Sequence, residues 1–236
     1  RMGVNTEGIR ISRTEQTGVA LITLDSSAEN SIVVCPGANG TVDSDEILAA
    51  LEALPVLKMI MLQLEIPMDC VERTVAYAAQ RGIPVFLDPA PVPPEGLPEE
   101  LYAKLTYIAP NSIEAELLTG IHICDTASAR AAAQFFLARG VKNAVIKLGS
   151  HGVYAANEQG EQLIHPYHVD AIDTTAAGDT FGGAFCARIS GGSSLEDALH
   201  FANAAGAFST TRAGAQPAMP SLEEINLFLQ EKGDVR

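Results

Sequence analysis

Lys58-Met59-Ile60-Met61-Leu62-Gln63-Leu64, followed by a segment from Asp69 to Gln80 and then by Pro84-Val85-Phe86-Leu87, is the stretch whose reading decides the fold. The first piece is a short apolar run of buried-strand character. The second puts Val71, Val75 and Ala78 on one helical face and meets a stop signal at Gly82. The third is a strand again, and Asp88-Pro89-Ala90-Pro91 ends it in a proline-rich loop. A strand, a helix and a second strand in this order predict a right-handed crossover and a parallel pair.

The alternation spreads outward from there. Upstream, Asp43 or Ser44 caps a helix running to about Leu54. Downstream, Tyr107-Ile108-Ala109 reads as a strand, Ser112 to Thr119 as a helix closed by Gly120, and Thr126 to Arg139 as a helix ending at Gly140. Ala144 to Leu148 and Val153 to Ala156 read as strands, and Val169 to Ile172 as strand-like. Helices are expected from near Gly178, from Leu195 to Thr211, and from Ser221. Ser194 with Asp197, and Ser221 with Glu224, are spaced as capping boxes. The class is therefore α/β with a mostly parallel sheet. In such sheets ligands bind beyond the carboxyl ends of the strands. That rule directs attention to Glu65, Asp88, Asn111, Gly149 and the turn from Asp173 to Asp179.

The start of the chain differs. Gly18 to Leu24 and Ser31 to Cys35 are β-branched runs joined by a polar turn from Asp25 to Asn30, which suggests a hairpin. Pro36-Gly37-Ala38-Asn39-Gly40 ends it as a turn. Residues 1–40 are thus expected to form a β lid portion and hairpin, and residues 41–236 an α/β core.

Composition narrows the function classes. Fifteen Lys and Arg stand against 29 Asp and Glu, a formal charge of −14. Phosphate-backbone binding rests on Lys and Arg, so nucleic acid is not an expected partner. Hydrophobic residues make up 47% and mean hydropathy is +0.15, enough for a sizeable core. No apolar run reaches the roughly 18 residues of a membrane span, and no signal-peptide stretch follows Arg1-Met2. The expectation is a cytoplasmic protein without a membrane partner. Cys35, Cys70, Cys124 and Cys186 form no C-x-x-C pair and read as small core residues. The five histidines lack metal-ligand spacing.

Asp173-Thr174-Thr175-Ala176-Ala177-Gly178-Asp179-Thr180-Phe181 carries the most chemistry. Ala176, Ala177 and Gly178 have almost no side chains, so a ligand can approach their backbone N–H groups at a helix start, where the dipole favours an anion. An acid at that place fits proton removal from an alcohol while the N–H groups hold a transferring phosphoryl group. A small-residue turn ahead of a well-capped helix explains the same residues without any ligand.

The stretch from Asp173 to Phe181 resembles the second signature of the ribokinase-like (PfkB) sugar kinases. The resemblance implies a three-layer α/β/α sandwich with a small β-strand lid. It also implies that Asp179 is the catalytic base and that Ala176, Ala177 and Gly178 form the anion hole. Asn111-Ser112-Ile113-Glu114 is similar to the family's N-x-x-E, which organises magnesium, its waters and the ATP phosphates. Lys147-Leu148-Gly149-Ser150-His151-Gly152 resembles the nucleotide-binding strand and glycine turn, implying nucleotide contacts at Lys147, Gly149, Ser150 and Gly152. Phe201 to Ala205 resembles the helix flanking adenine, with Asn203 near the base. Gly214-Ala215-Gln216-Pro217 resembles the loop closing a potassium site, implying ligands at Asp173, Thr175, Ser209, Arg212, Gly214 and Ala218, mostly through backbone carbonyls.

Within the family the pattern is that of the ribokinase branch. Thr17 to Ile22, Glu29-Asn30 and Pro36 to Asn39 follow its lid, and Gln63-Leu64-Glu65 matches the segment whose glutamate contacts the sugar. The implied reaction is ATP-dependent phosphorylation of D-ribose, with ATP, Mg2+ and K+ required and a homodimer formed through the lid. The family's N-x-D strand end and G-G-K-G-A-N-Q helix start have no counterpart here, which leads to the expectation of a chain lacking its N-terminal part. Two alternatives stay open. One is another sugar or nucleoside kinase of the same family; the other is a catalytically silent nucleotide- or sugar-binding relative. Single residues carry alternatives too. Asn111 and Glu114 fit a plain capping box, Asp173 a turn residue, and Lys147 either a phosphate contact or a solvent-facing lysine.

Overall fold

The computed structural model describes residues 3–24 and 30–234. The expected hairpin turn over Asp25 to Glu29, with Glu29 of the lid pattern, and the Arg1-Met2 start lie outside the described residues. Strands β1 (Val19–Leu24) and β2 (Asn30–Cys35) pair antiparallel, Val19 opposite Cys35 and Leu24 opposite Asn30. Behind them Gly37–Thr41 is a short 3-10 turn. Gly37 has φ +53, and a Cβ there would lie 2.4 Å from the Gln16 carbonyl, so the close crossing of chain under the ribbon needs glycine.

The remaining elements follow the expected alternation. They are α1 (Ser44–Glu52), β3 (Ile60–Leu62), α2 (Met68–Arg81), β4 (Val85–Leu87), α3 (Glu99–Tyr102), β5 (Tyr107–Ile108), α4 (Ser112–Thr119) and α5 (Thr126–Ala138). Then come β6 (Asn143–Lys147), β7 (Val153–Asn157), β8 (Gly160–Ile164), α6 (Ala177–Ser190), α7 (Leu195–Ser209) and α8 (Leu222–Glu231). Strands β3 to β8 form one six-stranded sheet in sequence order. The pairs β3–β4, β4–β5 and β5–β6 are parallel, and β6–β7 and β7–β8 antiparallel.

Side-chain alternation along the strands makes three layers. Val85, Leu87, Ile108, Ala144 and Ile146 pack with Val71, Val75 and Ala78 of α2 and with Ala129, Ala133 and Phe136 of α5. Their neighbours Phe86 and Val145 point the other way, against Phe181 and Phe185 of α6 and Leu199 of α7. Phe86 and Phe185 are fully buried with ring centroids 5.4 Å apart; each contributes about 1.5–3 kcal/mol of burial. A third cluster joins α7 to α8 through Phe201, Ala205, Ile225 and Phe228.

Caps explain where most helices begin and stop. The Asp43 carboxylate accepts from the Asp45 and Glu46 N–H groups at the head of α1. Gly82 ends α2 and Gly120 ends α4, both left-handed. Ser221 and Glu224 make the full capping box of α8. At α7 the Ser194 hydroxyl caps the Asp197 N–H, but the Asp197 carboxylate accepts from that same hydroxyl, so the reciprocal arm differs from the expected box.

Four expectations need correction. Val169 to Ile172 is not a strand: the Ile172 and Asp173 N–H groups donate to the Thr210 carbonyl at the end of α7, so the segment is tied to a helix end and not to a sheet. An edge strand, β8, pairs antiparallel with β7 where the sequence reading placed none, because only Ile164 of that strand is buried. The helix α3 lies in the loop after β4, and the strand expected over Lys58–Leu64 shortens to three residues. Cys35 and Cys124 are exposed, Cys186 is half-buried, and only Cys70 is a core residue. Among the described residues no helix is long and apolar enough to cross a membrane.

Candidate active site

The carboxyl ends of β3, β4, β5 and β6 and the first turn of α6 converge on one cluster. Its floor is set by the backbone. Ala176, the N-cap of α6, has φ 59 and ψ 15, the only non-glycine residue of positive φ among those described. A left-handed alanine costs about 1–2 kcal/mol, and such strain collects at functional turns. The turn is held from both sides: the Asp173 carboxylate accepts from the Thr175 N–H at 2.9 Å and from the Gly214 N–H at 2.8 Å. The Asp173 pKa is lowered from 3.8 to about 2, first by the Thr175 side-chain hydroxyl and then by the Gly214 and Thr175 N–H groups. The carboxylate therefore stays ionised and pins the turn to the Gly214 loop.

At the head of α6 the Ala177 N–H donates to the Thr174 carbonyl at 3.2 Å, while the Gly178 and Asp179 N–H groups have no protein acceptor among the described residues. Two open donors at a helix N-terminus can hydrogen-bond a ligand oxygen. Asp179 is exposed beside them, and one of its oxygens accepts from the Gln63 amide at 2.9 Å. Gln63 directly follows β3, so the sheet end and the helix start are joined through this bond.

Behind Gly178 lies an ion pair. The Lys147 ammonium, at the end of β6, donates to both oxygens of Asp88, at 2.9 and 2.8 Å. Asp88 directly follows β4. The two side chains are 12% and 3% exposed. Burial raises the Asp88 pKa, Lys147 pulls it back, and the nearby Asp179 charge raises it further. A Cβ on Gly178 would lie 3.5 Å from the lysine nitrogen and 3.9 Å from an Asp88 oxygen.

Asn111 follows β5 and caps α4. Its side-chain oxygen accepts from the Glu114 N–H at 2.9 Å, and the Glu114 carboxylate accepts from the Asn111 N–H at 2.7 Å and amide at 2.8 Å. The capping-box reading of this pair is thus present as geometry. Burial raises the Glu114 pKa, with Lys147 acting in the opposite direction, so Glu114 shares the electrostatic cluster. An isolated parallel bridge between Asn111 and Lys147 aligns the two strand ends.

The other expected residues lie at varied places. Gly149 to His151 is a 3-10 turn after β6, with Ser150 exposed. Gly152 closes it at φ +94, and a Cβ there would meet the Ile164 carbonyl at 2.0 Å, so no other residue fits. Asn203 is buried on α7, and its amide donates to the His165 carbonyl at 2.9 Å. Ser209 is fully buried with its hydroxyl on the Gly206 carbonyl. The Arg212 guanidinium pairs with Glu224 at 2.5 Å, and Ala218 is buried with no side-chain oxygen, so both offer a cation only their carbonyls. Glu65 is exposed two residues beyond Gln63. Gln63 and the pairing of Asp88 with Lys147 are what sequence reasoning missed. Their signal was positional: each of Gln63 and Asp88 is the first residue after a parallel strand.

Residues 1–222 match the sequence profile of the pfkB family carbohydrate kinases. A ribokinase of Staphylococcus aureus (strain COL) is 39% identical over 212 residues, covering 89% of this chain and 69% of its own. The crystal structure of a ribokinase from Thermotoga maritima superposes with a TM-score of 0.81 at 37% identity, over 94% of this chain and 72% of that one. The Arabidopsis thaliana ribokinase complexed with ribose and ATP gives a TM-score of 0.80 at 29% identity, over 92% of this chain and 70% of that one.

Proposed function

This chain belongs to the pfkB family of carbohydrate kinases, and from that premise we propose that it transfers the γ-phosphoryl group of ATP to the primary hydroxyl of D-ribose. The observation that carries the reading is the head of α6. Asp179 stands exposed beside the open Gly178 and Asp179 N–H groups, with Gln63 holding one of its oxygens.

Asp179 takes the hydroxyl proton. The alkoxide oxygen forms its bond to the γ-phosphorus as the bond to the bridging oxygen breaks, and ADP leaves. The Gly178 and Asp179 N–H groups hold the charge on the phosphoryl oxygens, with Ala177 joining if it releases Thr174. Left-handed Ala176 is the N-cap directly ahead of these donors. Glu65 contacts the sugar, Gly149, Ser150 and Gly152 line the nucleotide, and Asn203 fixes the segment at His165 that flanks the base.

The donor chemistry suits the two cations of the family. Magnesium prefers oxygen ligands and keeps waters and phosphates. Glu114, a half-buried carboxylate whose pKa burial raises, gains by facing such a cation, and Asn111 orients it. When bound, magnesium neutralises charge on the transferring phosphates. Asp173, ionised throughout, with the carbonyls of Thr175, Ser209, Arg212, Gly214 and Ala218, is an oxygen-only set suited to potassium. The β1–β2 ribbon exposes Val19, Leu21, Val33 and Val34, an apolar surface suited to a lid that also meets a second copy.

The test is ADP release from ATP and magnesium with D-ribose, fructose or adenosine, with and without potassium. Ribose-dependent release is expected, and Asp179→Asn should lower kcat by about 10²–10⁴-fold with ATP binding retained. Release with adenosine but not ribose would reassign the substrate. ATP binding without turnover of any acceptor would make the chain a silent binder.

A further inference from the structure

We propose that Lys147 is a catalytic residue, the cation of the anion hole, and that Asp88 is the positioning residue that aims it at the phosphoryl group in transfer. The proposal deepens the kinase reading and rests on it. Lys147 closes β6, and its backbone is fixed there by the bridge to Asn111 and by the Ser112 hydroxyl on its carbonyl. Its side chain runs beneath the first turn of α6, so that the ammonium lies against the bare α-carbon of Gly178, the residue whose N–H is open.

An ammonium has three donors. Two go to the Asp88 oxygens, and the third has no acceptor among the described residues. A flexible four-carbon side chain is thereby held in one place, as preorganised stabilisation requires. The surroundings call for such a cation. Asp88, Glu114 and Asp179 interact electrostatically within the cluster, and an ATP polyphosphate adds more negative charge. Among the ion pairs of the described residues, Lys147–Asp88 is the most buried, where a charge acts with least screening. A lysine facing solvent would show neither that burial nor the two-oxygen hold.

The experiment compares the wild-type chain with Lys147→Met, Lys147→Arg, and the doubly neutral Asp88→Asn/Lys147→Met. The paired variant carries no unpaired buried charge, which guards against misfolding of the single one. Binding of magnesium ADP and magnesium ATP is measured by calorimetry, and ribose turnover alongside. For both variants lacking the ammonium we expect ADP affinity within about twofold and ATP affinity weakened about tenfold, one charge-assisted hydrogen bond. We expect kcat to fall about 100-fold with the KM for ribose little changed, and Lys147→Arg to recover part of it. A folded double variant with wild-type kcat and wild-type preference for ATP over ADP overturns the proposal and leaves a structural ion pair. If the wild-type chain phosphorylates no sugar, yet loss of Lys147 still erases the preference for ATP over ADP, the kinase reading fails and the assignment of Lys147 to the γ-phosphate stands.

Discussion

Removing Lys147 alone should expose how much energy is stored in the carboxylate it covers. Asp88 is 3% exposed and its partner 12%, so solvent screening discounts the pair little. At 2.8 Å the attraction is about 6 kcal/mol for an effective dielectric near 20, and desolvation of both groups offsets much of it. Breaking one side of such a pair costs about 3–5 kcal/mol, because the remaining charge stays buried. For a chain of this length each kcal/mol is about 2–4 °C, so Lys147→Met should melt roughly 10 °C below the native chain at pH 7. The sign of the pH effect follows from Asp88. Burial raises its folded-state pKa above the unfolded value of 3.8, and loss of Lys147 removes the main opposing influence. A raised acid binds its proton more readily when folded, so the variant's deficit is greatest at neutral pH and shrinks as pH falls through that raised pKa. Asp88→Asn/Lys147→Met should recover at least about 2 kcal/mol of the single variant's loss, because it leaves no unpaired buried charge. Urea unfolding of the three chains between pH 5 and 8 measures each quantity. A Lys147→Met deficit below about 1 kcal/mol, or one independent of pH, would refute the claim that Asp88 is a desolvated charge needing its lysine.

Two further outcomes follow from single contacts. Gly152→Ala drives a Cβ to 2.0 Å from the Ile164 carbonyl at φ +94, so it should destabilise by about 3 kcal/mol or more in urea unfolding; a loss under 1 kcal/mol would mean the turn relaxes freely. Asp173, its pKa lowered to about 2, contributes stability that is complete above its unfolded value of 3.8 and lost as pH falls through about 2. The difference in acid unfolding between wild type and Asp173→Asn should therefore be flat above pH 4 and close below it; a difference that persists unchanged to pH 2 would show that the carboxylate's charge is not what ties the turn to Gly214.

Much of the core was legible because short-range rules govern it. Val71, Val75 and Ala78 fall on one face at helical spacing and are all fully buried. Gly82 and Gly120 stop their helices for a purely local reason, the left-handed cap. The elements that escaped reading are those whose partners are distant. Strand β8 opens with Gly160, Glu161 and Gln162, which give no strand signal, and exists because β7 offers it a ladder. Val169 to Ile172 carries strand-forming residues but finds no neighbouring strand, so its N–H groups turn to Thr210.

The site divides along the same line. The run of small residues from Ala176 to Gly178 ahead of Asp179 could be picked out as a candidate site from the sequence, because its features lie within one turn of chain. The sequence by itself thus determined the α/β class and the helix stops, and it directed attention to the head of α6. Only the tertiary structure decided that Lys147 faces Asp88 across 59 residues and that Gln63 reaches Asp179 across 116. Parallel strands bring residues together at their carboxyl ends only after the crossovers have closed, and no local pattern states which side chain will then meet which.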